Sequence, residues 1–324
     1  MAEVEKKILW KRNIWRKYMI RSFFDRIKNL QRMDVRHPLK WFLSGCVPFR
    51  YYYHYAPACT WGLTRHRRAV PVTVSVTSFP DRMNTISTTL NTLLTQTLKP
   101  DRLVLWLADT QFPNREDDLP SAVLQLKKWG LEIRWCQDTR SYKKLLPSLK
   151  EFPEDILVTA DDDVYYHPRW LEYLYASYRK HPNCLHAHRC HGIRIDMNGN
   201  ILPYKDWDFV AGQQSPSYLN FLTGVGGVLY PPHSLHPEIF RQDVFSELVP
   251  SNDDIWFWGM AVKQGTKTAV PSTFFHEIRH LVEEQDISLW QTNEVQNDVQ
   301  IGNLLHYYPE ILERIRKEIS QKAP

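Results

Sequence analysis

Between Val72 and Ala160 the chain alternates short β-branched or apolar runs with segments of helical texture, and this alternation limits the fold more than any other feature. "VTVSVT" (Val72–Thr77), "RLVLWLA" (Arg102–Ala108), "LEIRWCQ" (131–137) and "DILVTA" (155–160) each read as a strand. Val, Ile and Thr suit a pleated surface, and near-continuous apolar runs suit strands covered on both faces. Between them lie a helix from about Met83 to Thr97, a helix in "LPSAVLQLKKWG" closed by Gly130, and a short helix in "YKKLLPSLKEF" with an internal Pro. This repetition predicts an α/β fold: a Rossmann-like, mostly parallel central sheet with helices on both faces. In such open sheets ligands bind beyond the carboxyl ends of the strands. That rule marks "TSFPDR" after the first strand and "DDDVYY" after the fourth.

The body carries appendages. Residues 1–69 hold 16 Lys+Arg against 4 Asp+Glu, whereas the remainder holds 25 against 32. The expected organisation is therefore a basic N-terminal extension (1–69), an α/β body (70–275) and a C-terminal helical region (276–324), whose amphipathic "PEILERIRKEI" docks on the body or on a second subunit. Within the extension, Trp10, Ile14 and Tyr18 recur at helical spacing, as do Trp15, Met19 and Phe23; the aromatic-rich "WFLSGCVPFRYYYHYAP" follows. A basic, aromatic arm of this kind either lies on an anionic membrane face or packs on protein. It carries no nucleic-acid motif, so no nucleic-acid partner is expected. The five cysteines are irregularly spaced, and no run of apolar residues is long enough for a membrane span. A reducing cytoplasmic setting, in association with the inner face of the cytoplasmic membrane, is the expectation.

Asp161, Asp162 and Asp163 end the fourth strand in "ILVTADDDVYYHP". Adjacent carboxylates disfavour one another's ionisation. A hard divalent cation, Mn²⁺ or Mg²⁺, relieves this, because it takes oxygen ligands and bridges carboxylates to a substrate diphosphate. A solvated acidic turn is the bland alternative. A second acidic pair, Asp253 and Asp254, stands in "PSNDDIWFWGMAVKQG", which reads as a helix capped by Ser251 or Asn252 and closed at Gly265. Acids suit a first helical turn for the dipole alone, and they equally suit proton abstraction. In "TGVGGVLY", Gly224, Gly226 and Gly227 mark either a tight turn or a close approach of backbone to ligand.

Taken in order, "VSVTSFPDR", "YKKL", "VTADDDV", "TGVGGVLYPP" and "NDDIWF" resemble the GT-A glycosyltransferases, particularly bacterial enzymes that build lipopolysaccharide or capsule. The resemblance covers roughly Pro71 to Pro271 and implies that 70–275 is a GT-A catalytic domain. It implies a nucleotide-sugar donor of the UDP-sugar type, Mn²⁺ or Mg²⁺, and a glycan or lipid-linked glycan acceptor. Thr77, Ser78, Phe79, Pro80, Asp81 and Arg82 would hold the base and ribose, and Lys143 or Lys144 would meet the diphosphate. Asp161 would face the ribose or the metal, Asp162 would position one or the other, and Asp163 would be the main metal ligand. His276 would be a further metal ligand or a structural histidine. Gly226 and Gly227 would lie near the transferred sugar. Asp254, with Asp253 beside it, would take the acceptor's proton in an inverting displacement.

The cluster "HPNCLHAHRCHG" has two readings. Strand alternation would put Cys184, His186, His188 and Cys190 on one face, as a zinc site needs, although paired C-x2–4-C spacing is missing. Alternatively, the segment is an acceptor-side wall with Arg189 reaching toward the site. Two rival functions also stand: an aspartyl phosphohydrolase, for which Tyr165 occupies the place of a small β-branched residue, and a non-catalytic binding module.

Overall fold

The computed structural model describes residues 61–271 apart from 67 and 211, residues 279–280, and residues 289–322. The expected N-terminal helix, the aromatic stretch after it and His276 lie outside the described residues. Those described belong to one compact unit, Trp61–Pro324.

In chain order the elements are β1 (Val72–Thr77), α1 (Met83–Leu94), β2 (Arg102–Ala108), α2 (Ser121–Leu124), β3 (Leu131–Cys136), α3 (Leu146–Glu151), β4 (Ile156–Ala160), β5 (Val164–Tyr165), α4 (Trp170–Lys180), β6 (Leu185–Ala187) and β7 (Cys190–Gly192). They continue with β8 (Asp208–Val210), β9 (Gln214–Ser217), β10 (Asn220–Leu222), β11 (Val228–Tyr230), α5 (Gln242–Leu248), α6 (Asp253–Gln264), β12 (Thr268–Val270), β13 (Arg279–His280), α7 (Leu289–Tyr307) and α8 (Pro309–Lys322).

The main sheet runs β3-β2-β1-β4-β11-β6-β12-β9. Its first four strands are parallel; β11 is antiparallel to both neighbours, and β12 is parallel to β6 but antiparallel to β9. Side chains alternate between two cores, as strand period dictates. Ile156, Val158 and Ala160 join α1 and α4 on one face, whereas Leu157 joins α6 and the C-terminal helices on the other. Helices therefore cover both faces. Ile301, Leu304, Ile311 and Ile315 of α7 and α8 sit in the same core as Trp256 and Trp258 of α6, so these helices are built into the body.

The four parallel strands fall where the sequence pattern puts them, within a residue. Two helices differ. The helix expected to reach Thr97 stops at Leu94, because threonine hydroxyls compete for the last carbonyls: Thr92 Oγ1 donates to Thr89 O (2.7 Å) and Thr95 Oγ1 to Asn91 O (2.8 Å). The helix expected before Gly130 is one short α turn followed by a 3₁₀ segment, Gln125–Trp129. No described helix is long and apolar enough to cross a membrane.

One topological step places the site. The chain moves outward from β1 through β2 to β3, then crosses back to lay β4 on the other side of β1. The loops leaving β1 and β4 diverge at this switch point and open a crevice at the strand ends.

Candidate active site

The acidic triplet divides by environment. Val76 pairs with Ala160, so the loops after β1 and β4 start side by side. Ser78 Oγ donates to Asp162 Oδ2 at 2.5 Å, and Arg82 Nη1 donates to Asp162 Oδ1 at 2.6 Å. Thr89 of α1 donates to the Asp162 carbonyl at 2.9 Å. Asp162 is thus an internal clamp between the two loops. Burial pushes its carboxyl above the ordinary range, with Arg82 and Ser78 opposing. Asp161 and Asp163 keep 25% and 18% of their side chains exposed, against 9% for Asp162. Arg82 also reaches Asp163 Oδ2 at 2.9 Å.

Lys143 and Lys144 part company. Asp138 accepts from Arg140 N (2.9 Å) and from Lys143 Nζ (2.5 Å), which folds 140–144 into a 3₁₀ turn. That turn directs Lys144 into the crevice, where Nζ lies 3.2 Å from Asp161 Oδ1 and 3.0 Å from Asp253 Oδ2. Both lysines are buried. Burial pulls the Lys144 ammonium down, but Asp161, Asp253 and Asp254 prevail and hold it well above its ordinary value.

The second acidic pair sits at the start of α6. Asn252 caps the helix, its side chain accepting from Asp254 N at 3.1 Å. Asp254 Oδ2 accepts from Gly224 N at 2.9 Å, and its Oδ1 is shielded from solvent with no hydrogen-bond partner. Burial raises the Asp254 carboxyl to about 7, with Asp253 and Asp161 reinforcing it and Lys144 opposing. A carboxylate tuned near neutrality with one open oxygen is equipped to accept a proton.

The glycines have different surroundings. On the side where a Cβ would stand, Gly226 and Gly227 pack against protein. A Cβ on Gly227, at φ +87, would lie 2.4 Å from Trp170 Cζ2, and one on Gly226 would lie 3.1 Å from Arg189 N and Cβ. Trp170 Nε1 donates to Gly226 O at 2.8 Å. The glycine that faces the carboxylates is Gly224: its Cβ would stand 2.6 Å from Lys144 Nζ and 2.8 Å from Asp254 Oδ1.

Among the other expected residues, the Thr77 hydroxyl is spent on Trp106 O at 2.9 Å. Phe79, Pro80 and Asp81 are exposed at the rim, with the Arg82 guanidinium 5.4 Å from the Phe79 ring centre. The histidine cluster is not brought together as a zinc site. His186 bonds Ser177 Oγ (2.8 Å) and His181 O (3.1 Å), and His188 Nε2 donates to Trp170 O (2.9 Å). No group of three His, Cys, Asp or Glu side chains poised for a metal exists among the described residues. A closed protein cage is therefore not on offer there. Two part-exposed carboxylates, Asp161 and Asp163, fit the other kind of site, in which Mn²⁺ or Mg²⁺ keeps waters and shares substrate oxygens.

No family model matches the chain, and no curated protein does. Among solved structures, it is similar to residues 1–349 of TarS from S. aureus, at 16% identity over 63% of this chain and 58% of that one, with a TM-score of 0.41. It is also similar to the mannosyltransferase PcManGT from Pyrobaculum calidifontis in complex with GDP-Man and Mn²⁺, at 14% identity over 82% and 76% of the two chains, TM-score 0.46. A third is glucosyl-3-phosphoglycerate synthase from Mycobacterium tuberculosis in complex with Mn²⁺, uridine-diphosphate and phosphoglyceric acid, at 15% identity over 40% and 50%, TM-score 0.28. The chain thus spans under two thirds of the TarS segment. Likenesses this distant leave the chemistry to be read from the site's own residues.

Proposed function

We propose that the protein is a metal-dependent glycosyltransferase that moves a sugar from a nucleotide-sugar, of the UDP-sugar class, to a hydroxyl of a glycan or lipid-linked glycan acceptor, with inversion. The observation that carries this reading is the single ammonium of Lys144 touching both Asp161 and Asp253 at the switch-point crevice, with Asp254 beside it. In this reading the acid that would ligate the metal and the acid that would accept the proton share one cleft around Lys144, which supports a displacement at a sugar's anomeric carbon.

Asp161 and Asp163 would hold the divalent ion, which supplies neutralisation of charge building on the departing diphosphate. Asp162 is not a ligand in this reading; through Ser78 and Arg82 it sets the spacing of the two loops. The rim residues Phe79, Pro80 and Asp81 offer a surface for the nucleoside. Asp254 Oδ1 accepts the proton of the acceptor hydroxyl as that oxygen attacks, a contribution of roughly 10²–10⁴-fold.

The test is turnover of a nucleotide-sugar panel with Mn²⁺ or EDTA, for wild type, Asp163→Ala and Asp254→Asn. Asp163→Ala should lose metal-dependent turnover, and Asp254→Asn should keep donor binding while losing transfer. Cleavage of a generic phosphomonoester in place of nucleotide-sugar turnover would replace this reading with the phosphohydrolase one.

A further inference from the structure

The ribbon β10-β7-β8 stands beside Asp254; Phe221 at one side of it is buried in the core, whereas Phe209 at the other is open. His191 pairs with both Phe221 and Phe209, so these side chains share a face. Arg189 joins them, its guanidinium carbon 5.6 Å from the Phe209 ring centre. The Tyr204 ring packs 5.3 Å from His191. Phe209 is 53% exposed, an open aromatic surface in a structure that buries most of its rings.

Arg189 is built in beside the proton-accepting acid. Its carbonyl accepts from Thr223 N (3.1 Å) and Thr223 Oγ1 (3.2 Å), and the next residue, Gly224, holds Asp254 through its own N–H. The Tyr204 hydroxyl feels both charges: after burial, which makes it a weaker acid, Asp254 pushes its pKa further up and Arg189 pulls it down. Yet Arg189 is half-buried, with Nε shielded from solvent and unbonded, and no described carboxylate lies within ion-pairing distance of its guanidinium. A half-buried guanidinium without a counter-charge, one N–H shielded and unspent, is free to meet an incoming anion.

We propose that this face is the acceptor subsite, and that it takes a sugar bearing a phosphate or carboxylate group. Arg189 receives the anion and Phe209 receives the apolar C–H face of the ring. The word acceptor rests on the glycosyltransferase reading above; the preference for an anion does not. A guanidinium fork matches either oxyanion with paired hydrogen bonds, and an exposed aromatic face complements a sugar's apolar one.

To test it, the full chain is saturated with UDP and Mn²⁺, so that the donor side is filled, and titrated calorimetrically with glucose 6-phosphate, glucuronate and methyl glucoside. At least one anionic sugar should bind about tenfold or more tighter than the neutral one, the scale of a charged hydrogen-bonded contact. The two anionic arms decide between phosphate and carboxylate. Arg189→Gln should erase the preference while leaving UDP affinity unchanged, and Arg189→Lys should keep part of it with the packing preserved. Phe209→Ala, at an exposed ring, should weaken all three sugars alike. Equal binding of charged and neutral sugars by wild type overturns the proposal. So does an Arg189→Gln variant that weakens UDP instead, because the guanidinium would then belong to the donor. Failure of UDP to bind at all sinks the glycosyltransferase reading, and the same titration without nucleotide still decides the anion preference.

Discussion

Replacing Gly224 by Ala tests the arrangement of the two acids with a single methyl group. The added Cβ would stand 2.6 Å from Lys144 Nζ and 2.8 Å from Asp254 Oδ1, closer than packed atoms tolerate. Both clashing atoms end flexible side chains, so the fold adapts and the site gives way. A shift of the order of 1 Å in a reacting group costs about 10²-fold in rate. Gly224→Ala should therefore cut transfer about a hundredfold while the melting temperature moves by no more than a few degrees. Gly227→Ala is the control with the opposite signature. There the backbone is at φ +87, and the new methyl meets the Trp170 ring at 2.4 Å, so stability should fall by at least ~2 kcal/mol. Steady-state transfer kinetics and thermal melts on both variants separate the effects. Full activity in a stably folded Gly224→Ala protein would refute the claim that Lys144 and Asp254 act from their present positions.

Two further outcomes follow from the same geometry. Lys144→Met leaves Asp161 and Asp253 facing each other without their shared cation, and should cost about 3–5 kcal/mol in denaturant unfolding at neutral pH, with the deficit shrinking in acid as the carboxyls protonate. The Asp254 carboxyl stands at about 7, above its ordinary 3.8, so its proton stabilises the native state fully below about 3.8 and that contribution is lost as pH rises through 7. Activity runs the other way: transfer should climb with pH along an acid limb centred near 7, measured as kcat/KM, and Asp254→Asn should abolish the limb.

What the sequence discloses and what it hides divide along physical lines. The parallel strands are legible because a strand buried on both faces must be a continuous β-branched run, as in Val72–Thr77. The cap at Asn252 and the stop at Gly265 are legible because they are backbone problems with few residue solutions. The single strand read through 184–190 is two, Leu185–Ala187 and Cys190–Gly192, broken at His188 and Arg189, and the short strand at Asp208 is not legible at all; three residues carry too little pattern. Nor does the sequence decide between Lys143 and Lys144. Neighbours on a 3₁₀ turn point in different directions, and the choice is made by Asp138, which takes Lys143 for itself. The three glycines of "TGVGGVLY" look alike in sequence and separate by what each Cβ would strike: Trp170, the Arg189 backbone, or Lys144 and Asp254.

The charge balance of the cleft leads to a last consequence. Asp161, Asp162, Asp163, Asp253 and Asp254 gather around Lys144 and Arg82. Fully ionised, the group carries an excess of negative charge, and like charges about 4 Å apart near a protein surface repel by roughly 4 kcal/mol. The protein relieves part of this by holding the Asp254 proton toward neutrality. Both cations are already committed, Arg82 to Asp162 and Asp163, Lys144 to Asp161 and Asp253. A nucleoside diphosphate entering alone would therefore add anion to an anionic cleft. Its affinity should depend on a divalent ion far more than a site lined by uncommitted lysines would require. Titration of UDP into the protein should give at least about 100-fold tighter binding with Mn²⁺ than with EDTA, a difference of ~2.7 kcal/mol. In Asp163→Ala the two curves should converge. Equal affinity with and without the ion in the wild-type protein would mean that the acids do not govern entry, and the assignment of Asp161 and Asp163 as ligands would fall.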